Sequence, residues 1–251
     1  MKVRIIPTIL TDGLTVVKGE NFVNDRTVGS AEATARLYSK RDVDELIFLD
    51  VKARSQNRMV NLDLISKFAE LLDTPFGVGG GINSIEDARH CIRRGAEKVV
   101  LGTAALQNPK LISEIAAVFG SQAVVVSVDI ADDFGKTLGS KSATEIVDMD
   151  ALEFALKAQE LGAGEILLQS VKHDGLMQGV NIGAIKTISE KIKIPLIASS
   201  GVGKPEDLLN ALSNGAAAVA IGALFQFTQT TPKTLRDYLK DHGINVREVV
   251  S

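Results

Sequence analysis

The chain has 251 residues, of which 45% are apolar, and its formal net charge is −3. This near-neutral charge, with no long basic run, argues against nucleic-acid binding, and no apolar run approaches the roughly 18 residues of a membrane span. Cys91 is the single cysteine, which excludes a disulfide framework and suits a reducing compartment. With no signal peptide visible after Met1, we expect a cytoplasmic protein that contacts no membrane.

Short apolar runs alternate with amphipathic stretches of helix length along the chain. The runs are rich in Val, Ile and Leu without polar alternation, as in parallel strands covered on both faces. Predicted strands lie at 4–10, 45–50, 76–79, 98–102, 123–129, 165–170, 195–199 and 218–222. Predicted helices lie at 31–40, 61–73, 85–94, 109–119, 150–161, 182–192, 205–214 and 233–242. Residues 131–148, with several Gly, Ser and Thr, predict an excursion after the fifth strand.

The chain also resembles itself at an offset of 120 residues. Residues 78–87 fall on 198–207, so that 1–120 and 121–240 look like two copies of one half. Eight strand–helix units predict a (β/α)8 TIM barrel formed by residues 1–251 as one domain. A doubly wound sheet is the rival, but the repeat favours a closed barrel.

Glycine-rich turns follow the third and seventh predicted strands, at 79–81 and 201–203, and each leads into a helix. Chemistry in such barrels lies at the C-terminal strand ends, where backbone N–H groups at a glycine-lined helix start can hold a phosphate. The repeat of the motif predicts two anion sites; the alternative is that the glycines only make tight turns. The predicted phosphate-binding residues are Gly80, Gly81, Gly102, Thr103, Gly201, Gly203, Gly222 and Ala223.

Three acids stand at predicted strand ends or in the loops that follow: Asp50, Asp129 and Asp174. Asp129 ends an apolar strand and is a candidate general acid or base, although it could instead bond neighbouring loop N–H groups. Asp50 and Asp174 are candidate substrate contacts. Lys18, in the first loop, is either a mobile lysine over a phosphate or a solvated one. His173 reads as a solvated loop histidine, and the sequence predicts no metal site and no cofactor.

Four charged residues begin predicted strands one, two, four and six: Arg4, Glu45, Lys98 and Glu165. Strand starts gather at the N-terminal face of a barrel, so two acids and two bases can form a ring of ion pairs across the axis. Residues on this face usually serve stability, which favours a structural role in which the ion pairs hold the strand starts together. The functional alternative is a gate that passes a small neutral molecule.

These features together resemble the cyclase subunit of imidazole glycerol phosphate synthase, the HisF family of histidine biosynthesis. The similar stretches are 4–7, 16–19, 21–23, 44–50, 79–82, 119–122, 162–168, 174–175 and 197–203. The resemblance implies a barrel with two phosphate sites and a HisH-like glutaminase docked on its N-terminal face. It also implies that ammonia passes through the four-charge ring and along the axis, which makes the ring a gate.

The chain departs from the family at the site. The family uses two aspartates, ending strands one and five; Asp129 matches the second, whereas Leu10 stands at the first and Asp12 is a poor substitute. Losing a catalytic acid or base typically costs about 10²–10⁴ in rate. Gln169 replaces a usual hydroxyl residue, and Asn181 replaces a usual acid.

The departures suggest a paralogue that keeps the conduit but has impaired cyclase chemistry. Similar relatives with this leucine imply ammonia delivery for amidation or amidination of a surface-polysaccharide sugar, together with a sugar-modifying enzyme. One alternative is the cyclase itself, forming imidazole glycerol phosphate and an aminoimidazole carboxamide ribotide from a phosphorylated substrate. Another is a non-catalytic scaffold that activates its glutaminase.

Overall fold

The computed structural model describes residues 2–131, 136–139 and 145–247. Its strands are β1 Arg4–Thr11, β2 Thr15–Glu20, β3 Val23–Ser30, β4 Leu46–Asp50, β5 Phe76–Gly79, β6 Lys98–Leu101, β7 Val124–Ile130, β8 Lys136–Gly139, β9 Glu145–Asp150, β10 Glu165–Ser170, β11 Leu196–Ser199 and β12 Ala218–Ile221. Its α-helices are α1 Ala31–Ser39, α2 Leu62–Leu71, α3 Ile85–Arg93, α4 Thr103–Gln107, α5 Lys110–Phe119, α6 Ala151–Glu160, α7 Ile182–Ser189, α8 Pro205–Ser213, α9 Ala223–Phe227 and α10 Pro232–Asp241.

Eight parallel strands close into a barrel. Their order around the barrel is β1, β4, β5, β6, β7, β10, β11 and β12. The last strand returns to the first, with Arg4 paired to Ala218 and Pro7 to Ile221. The predicted (β/α)8 barrel is therefore confirmed, and closure leaves no exposed edge in this eight-stranded ring.

The helices between the barrel strands follow local capping signals. The side chains of Asn61, Ser84 and Asp150 accept hydrogen bonds from backbone N–H groups at the starts of α2, α3 and α6. Proline occupies the first turn of α8 and of α10, where its missing N–H costs nothing. The eight predicted helices are present with ends within a few residues of those predicted, and the short helices α4 and α9 are additional.

Side chains alternate between two apolar layers along each barrel strand. Ile47 points into the barrel, where it packs in an inner cluster with residues such as Ile6, Leu167 and Ile197. Phe48, the next residue, points outward and stacks on Phe68 of α2 at a ring distance of 3.8 Å. The interior is therefore packed rather than hollow, and polar residues occur above and below the inner apolar layer.

The prediction that Lys18 lies in a loop was wrong, because residues 15–30 form a β-hairpin. β2 pairs antiparallel with both β1 and β3. The hairpin extends over the C-terminal ends of the barrel strands, where the backbone N–H of Asn21 donates to the carbonyl of Asp174 (3.0 Å). Gly175 packs so closely against the Gly19 carbonyl that a Cβ would collide with it.

The excursion predicted for 131–148 lies partly outside the described residues. Its described parts contain β8 and the beginning of β9, which pair antiparallel, and β8 also pairs with the end of β7. Among the helices in the described ranges, none has the length and apolar character needed to cross a membrane.

Candidate active site

A cavity of about 240 Å³ opens at the C-terminal ends of the barrel strands. Most of the residues predicted from sequence line it, and both halves of the chain contribute. Those lining residues are Leu10, Lys18, Asp50, Gly80, Gly81, Gly102, Thr103, Asp129, Asp174, Gly201, Gly222 and Ala223. Gly203 does not line it, and its N–H instead donates to Asp207 at 2.8 Å.

Asp129 belongs to a hydrogen-bonded cluster on neighbouring strands. Its Oδ1 accepts from the Ser127 hydroxyl (2.7 Å) and from the Gln169 amide (3.0 Å), and the same amide donates to Ser127 (3.1 Å). Burial of the carboxyl raises the pKa of Asp129, and the two hydrogen bonds only partly oppose this effect. A carboxyl with a raised pKa is a candidate proton-transfer group.

Among the residues that the structure describes, no second acid occupies the position of Leu10. Leu10 lines the cavity beside Leu49, its partner on β4. Asp12, the nearest acid in sequence, does not line the cavity; it accepts hydrogen bonds from the backbone of Leu14 (3.1 Å) and Thr15 (2.8 Å). Its partial burial would raise the pKa of Asp12, but these hydrogen bonds outweigh burial and lower it. Asp12 therefore caps a turn.

The carboxylate of Asp50 is enclosed rather than open to a ligand. Its Oδ2 lies 2.5 Å from Nη1 of Arg58, and its Oδ1 accepts from the backbone N–H groups of Lys52 and Ala53. Arg58 also donates to the Asp12 carbonyl (2.7 Å). Asp50 thus fixes the loop after β4, and a direct ligand contact would require Arg58 to move.

Lys18 is neither a loop residue nor a solvated one. It lies on β2, is only 7% exposed, and lines the cavity. Its ammonium approaches Gly222 so closely that a Cβ there would collide with it. The hairpin therefore brings a positive charge to the start of α9, where backbone N–H groups also favour an anion.

The loop after β10 contributes Asp174, which accepts a hydrogen bond from the Ser200 hydroxyl (3.1 Å). His173 lies outside the cavity lining, and its Nδ1 is 2.7 Å from the Ser170 hydroxyl. Asn181 caps α7 through the N–H of Ala184 (3.0 Å). Of these polar residues, only Asp174 and Ser200 line the cavity.

The two glycine-rich turns have a packing requirement of their own. Gly81 and Gly201 both have positive φ, and a Cβ on either would collide with a backbone carbonyl, of Arg58 and Gly179 respectively. These glycines are therefore explained by tight turns without any ligand. Gly102 is different, because a Cβ there would meet nothing closer than Ser127 at 4.0 Å.

The four charges at the N-terminal face form a closed ring of alternating sign. Arg4 contacts Glu45 (2.5 Å) and Glu165 (2.8 Å), and Lys98 contacts the same two carboxylates at 2.7 and 3.0 Å. Burial alone would lower the pKa of Arg4, but the two glutamates outweigh it and raise the pKa. The ring closes the axis below the inner apolar layer.

Sequence reasoning missed Ser127 and Arg58 as site residues. Ser127 lies two positions before Asp129 on the same strand, so both side chains face inward. The alternation of side chains along a strand could therefore have identified Ser127 from the sequence. Arg58 carried no local signal, because its contact with Asp50 depends on how the intervening loop folds. The described residues hold no cluster of three or more His, Cys, Asp or Glu side chains able to bind a metal.

Fold and site together define a (β/α)8-barrel protein with a cavity at one end of its axis and a closed ring of charges at the other. The chain belongs to the histidine biosynthesis protein family, whose model matches residues 4–231. It is 44% identical over 247 residues to the imidazole glycerol phosphate synthase subunit HisF of Exiguobacterium sibiricum, covering 97% of this chain and 98% of the relative.

Two further relatives carry the same name. The protein of Lachnoclostridium phytofermentans is 43% identical over 248 residues, covering 97% of this chain and 96% of the relative. That of Chlorobium phaeovibrioides is 43% identical over 251 residues, covering 97% and 98%. The resemblance inferred from motifs is thus confirmed over nearly the whole chain.

Proposed function

We propose that this chain is the ammonia-receiving subunit of a glutamine-dependent synthase. In this proposal a HisH-like glutaminase docks on the N-terminal face and releases ammonia at the four-charge ring. The observation that carries the proposal is the placement of ring and cavity at opposite ends of one axis. Full-length similarity to synthase subunits adds support.

The ring suits passage of a neutral molecule because each charge has two opposite neighbours. Glu45 and Glu165 each bind both Arg4 and Lys98, so one contact can open while the other still compensates the charge. The inner apolar layer above the ring disfavours ions far more than neutral ammonia. Ammonium and hydrated ions are thereby excluded, whereas neutral ammonia advances through this packed layer when its side chains move aside.

The cavity suits a phosphorylated or anionic substrate. Lys18 approaches Gly222 at the start of α9, and Gly102 leaves open space at the start of α4, where Thr103 follows. These two places are the anion sites of the proposal, with Gly80, Gly81, Gly201 and Ala223 shaping their walls. Asp129 is the remaining proton-transfer group, and Asp50 and Asp174 hold the surrounding loops.

Two acceptor reactions compete. The names of the relatives favour formation of imidazole glycerol phosphate. Leu10 favours a different acceptor, such as a surface-polysaccharide sugar amidated with the help of a sugar-modifying enzyme, because leucine cannot transfer a proton. With one carboxyl instead of two, we expect cyclase turnover to be about 10²–10⁴-fold below that of a two-aspartate site.

The acceptor is tested by supplying the purified chain with the ribulosyl substrate of the cyclase reaction and excess ammonium salt at alkaline pH. This assay bypasses the glutaminase. Turnover comparable to that of a HisF relative would establish the cyclase reaction and refute the loss of activity. Absent or strongly reduced turnover, together with glutaminase binding, supports another acceptor.

A scaffold without a conduit makes a different prediction. If the chain only activates its glutaminase, neutralising a ring charge leaves the ratio of product to glutamine consumed unchanged. If ammonia passes the ring, the same change lowers this ratio.

A further inference from the structure

Ser200 has a backbone conformation that a serine adopts only at a cost. Its φ of +75° lies in the left-handed region, which strains residues that carry a Cβ. Gly80, 120 residues earlier, has the equivalent place in the first glycine-rich turn, and its φ of +123° is also positive. Because a glycine fits this turn without strain, the serine in the second turn points to a role for its side chain.

The side chain of Ser200 reaches a carboxylate of the cavity. Its hydroxyl donates to Oδ1 of Asp174 at 3.1 Å. Ser200 is only 7% exposed, and both residues line the cavity. The bond joins the turn after β11 to the loop after β10. A hydrogen bond to an ionised carboxylate is stronger than one between neutral groups, so it can offset the strained backbone of Ser200.

The first half of the chain offers an internal comparison for this loop. The loops after β4 and β10 correspond, because Asn57 and Met177, 120 residues apart, have φ of +51° and +54°. In this correspondence Arg54 takes the place of Asp174, and both line the cavity. The two halves thus place opposite charges at equivalent positions of the cavity wall.

The turn residue differs together with the loop residue. The half whose loop carries Arg54 has Gly80 in its turn, and the half whose loop carries Asp174 has Ser200. The strained serine stands in the half with the acid, to which its hydroxyl donates. It is therefore tied to the carboxylate rather than to the shape of the turn, which glycine serves in the first half.

The bond from Ser200 restricts a part of Asp174 that backbone contacts leave mobile. The Asp174 carbonyl accepts from the N–H of Asn21 (3.0 Å), and its own N–H donates to the carbonyl of Val171 (3.1 Å). These bonds fix the main chain but permit rotation about the Cα–Cβ bond. The Ser200 hydroxyl acts on the carboxylate itself, and such preorganisation lowers the entropy that a ligand must remove on binding.

An oriented carboxylate in a cavity discriminates between the parts of a ligand. It accepts hydrogen bonds from hydroxyl groups, as acidic residues do from ribose in dinucleotide sites. It repels a phosphate placed beside it. The part of an anionic ligand that meets Asp174 is therefore its hydroxyl-bearing part.

We propose that Ser200 is a specificity-determining positioning residue. By holding the Asp174 carboxylate, it makes the cavity select ligands whose sugar hydroxyls donate to that carboxylate. The proposal rests on the proposed function for the anionic part of the ligand, and it adds a residue that the strand-end rule does not identify.

The test is isothermal titration of the full chain with D-ribose 5-phosphate and, separately, with inorganic phosphate. We expect the unmodified chain to prefer the sugar phosphate. Ser200→Ala and Ser200→Gly should each lower this preference about tenfold, the effect of losing one hydrogen bond, with the phosphate affinity unchanged. Asn57→Gly is the matched control: it replaces another left-handed residue, exposed and outside the cavity lining, and should leave both affinities unchanged.

Asp174→Ala tests whether Ser200 acts through Asp174. If it does, adding Ser200→Ala to Asp174→Ala lowers the preference no further. A further loss of comparable size overturns the positioning role.

Three other outcomes also overturn the proposal: an unchanged preference in a folded Ser200→Ala chain, equal losses for both ligands, and no preference in the unmodified chain. Both ligands reach the cavity without a glutaminase, so the test is independent of the ring. Binding of phosphate without a preference refutes this proposal alone. Binding of neither ligand refutes the anion sites of the proposed function, and the role of Ser200 falls with them.

Discussion

Gly81 and Gly201 lie 120 residues apart and occupy the same left-handed region of backbone conformation, with φ of +64° and +88°. Each packs against a neighbouring loop so tightly that a Cβ would collide with a backbone carbonyl. The agreement is what a duplicated half-barrel predicts. It also means that both turns are constrained before any ligand binds.

Alanine at either position should destabilise the fold. A non-glycine residue at such φ costs about 1–3 kcal/mol, and the collision adds to this cost. Urea unfolding of Gly201→Ala and Gly81→Ala measures the loss. Gly29→Ala is the matched control, because a Cβ there meets nothing within 4 Å and φ is not positive. Equal stabilities for all three variants would contradict the packing argument.

Lys98→Met should uncouple the proposed complex and destabilise the chain. The substitution leaves Glu45, which is 3% exposed, with Arg4 as its only remaining ring partner. Removing one partner of a buried ion pair costs about 3 kcal/mol, measured by urea unfolding. With a glutaminase bound, product formed per glutamine should fall.

Lys233→Met provides the control for Lys98→Met. Lys233 pairs with Asp237 at 2.8 Å on the exposed face of α10, and such a pair contributes at most about 0.5 kcal/mol. An unchanged product-to-glutamine ratio in Lys98→Met would count against the conduit.

Leu10→Asp should raise ammonium-dependent cyclase turnover if the rest of the site suits that reaction. A restored proton-transfer group is worth about 10²-fold or more, and steady-state assay with the ribulosyl substrate measures it. Leu10→Asn has nearly the same shape but cannot transfer a proton. Equal effects of the two substitutions would show that polarity, rather than acid–base chemistry, is responsible.

Asp129 should make stability fall as pH rises. Its pKa is raised in the folded state, so between the ordinary aspartate pKa and the raised one the folded chain binds more protons than the unfolded chain. The free energy of unfolding therefore decreases with pH across this window. Asp129→Asn should remove this decrease, as measured by urea unfolding at a series of pH values.

Asp12→Asn is the control of opposite sign. The pKa of Asp12 is lowered in the folded state, so its contribution is present above the unfolded pKa and lost as pH falls through the folded one. If both variants change the pH profile in the same direction, the raised pKa assigned to Asp129 is wrong.

The barrel was predictable because its strands and helices have local signals. Buried parallel strands such as Val124–Ile130 read as apolar runs, and helix starts such as Ser84 carry capping residues. The hairpin formed by residues 15–30 lacks such a run, since both its strands carry polar residues. It forms because β2 pairs with β1, and β1 is held in place only when the barrel has folded.

The site was partly predictable because some of its residues also carry local sequence signals. The strand-end rule placed Asp129 at the cavity, and the repeat identified Leu10 as its exception. The rule did not reveal that Asp50 is enclosed by Arg58, or that Gln169 reaches across to Ser127 and Asp129. Such contacts depend on side-chain length and loop paths, which no local sequence pattern encodes.

The contact between Asn21 and Asp174 has a consequence for how the cavity can open. The hairpin belongs to the first half of the chain and the loop after β10 to the second, so this bond bridges the two halves above the cavity. A substrate entering from solvent must displace the hairpin tip or pass beside it. Turnover would then respond to the rate of hairpin release as well as to the chemistry beneath it.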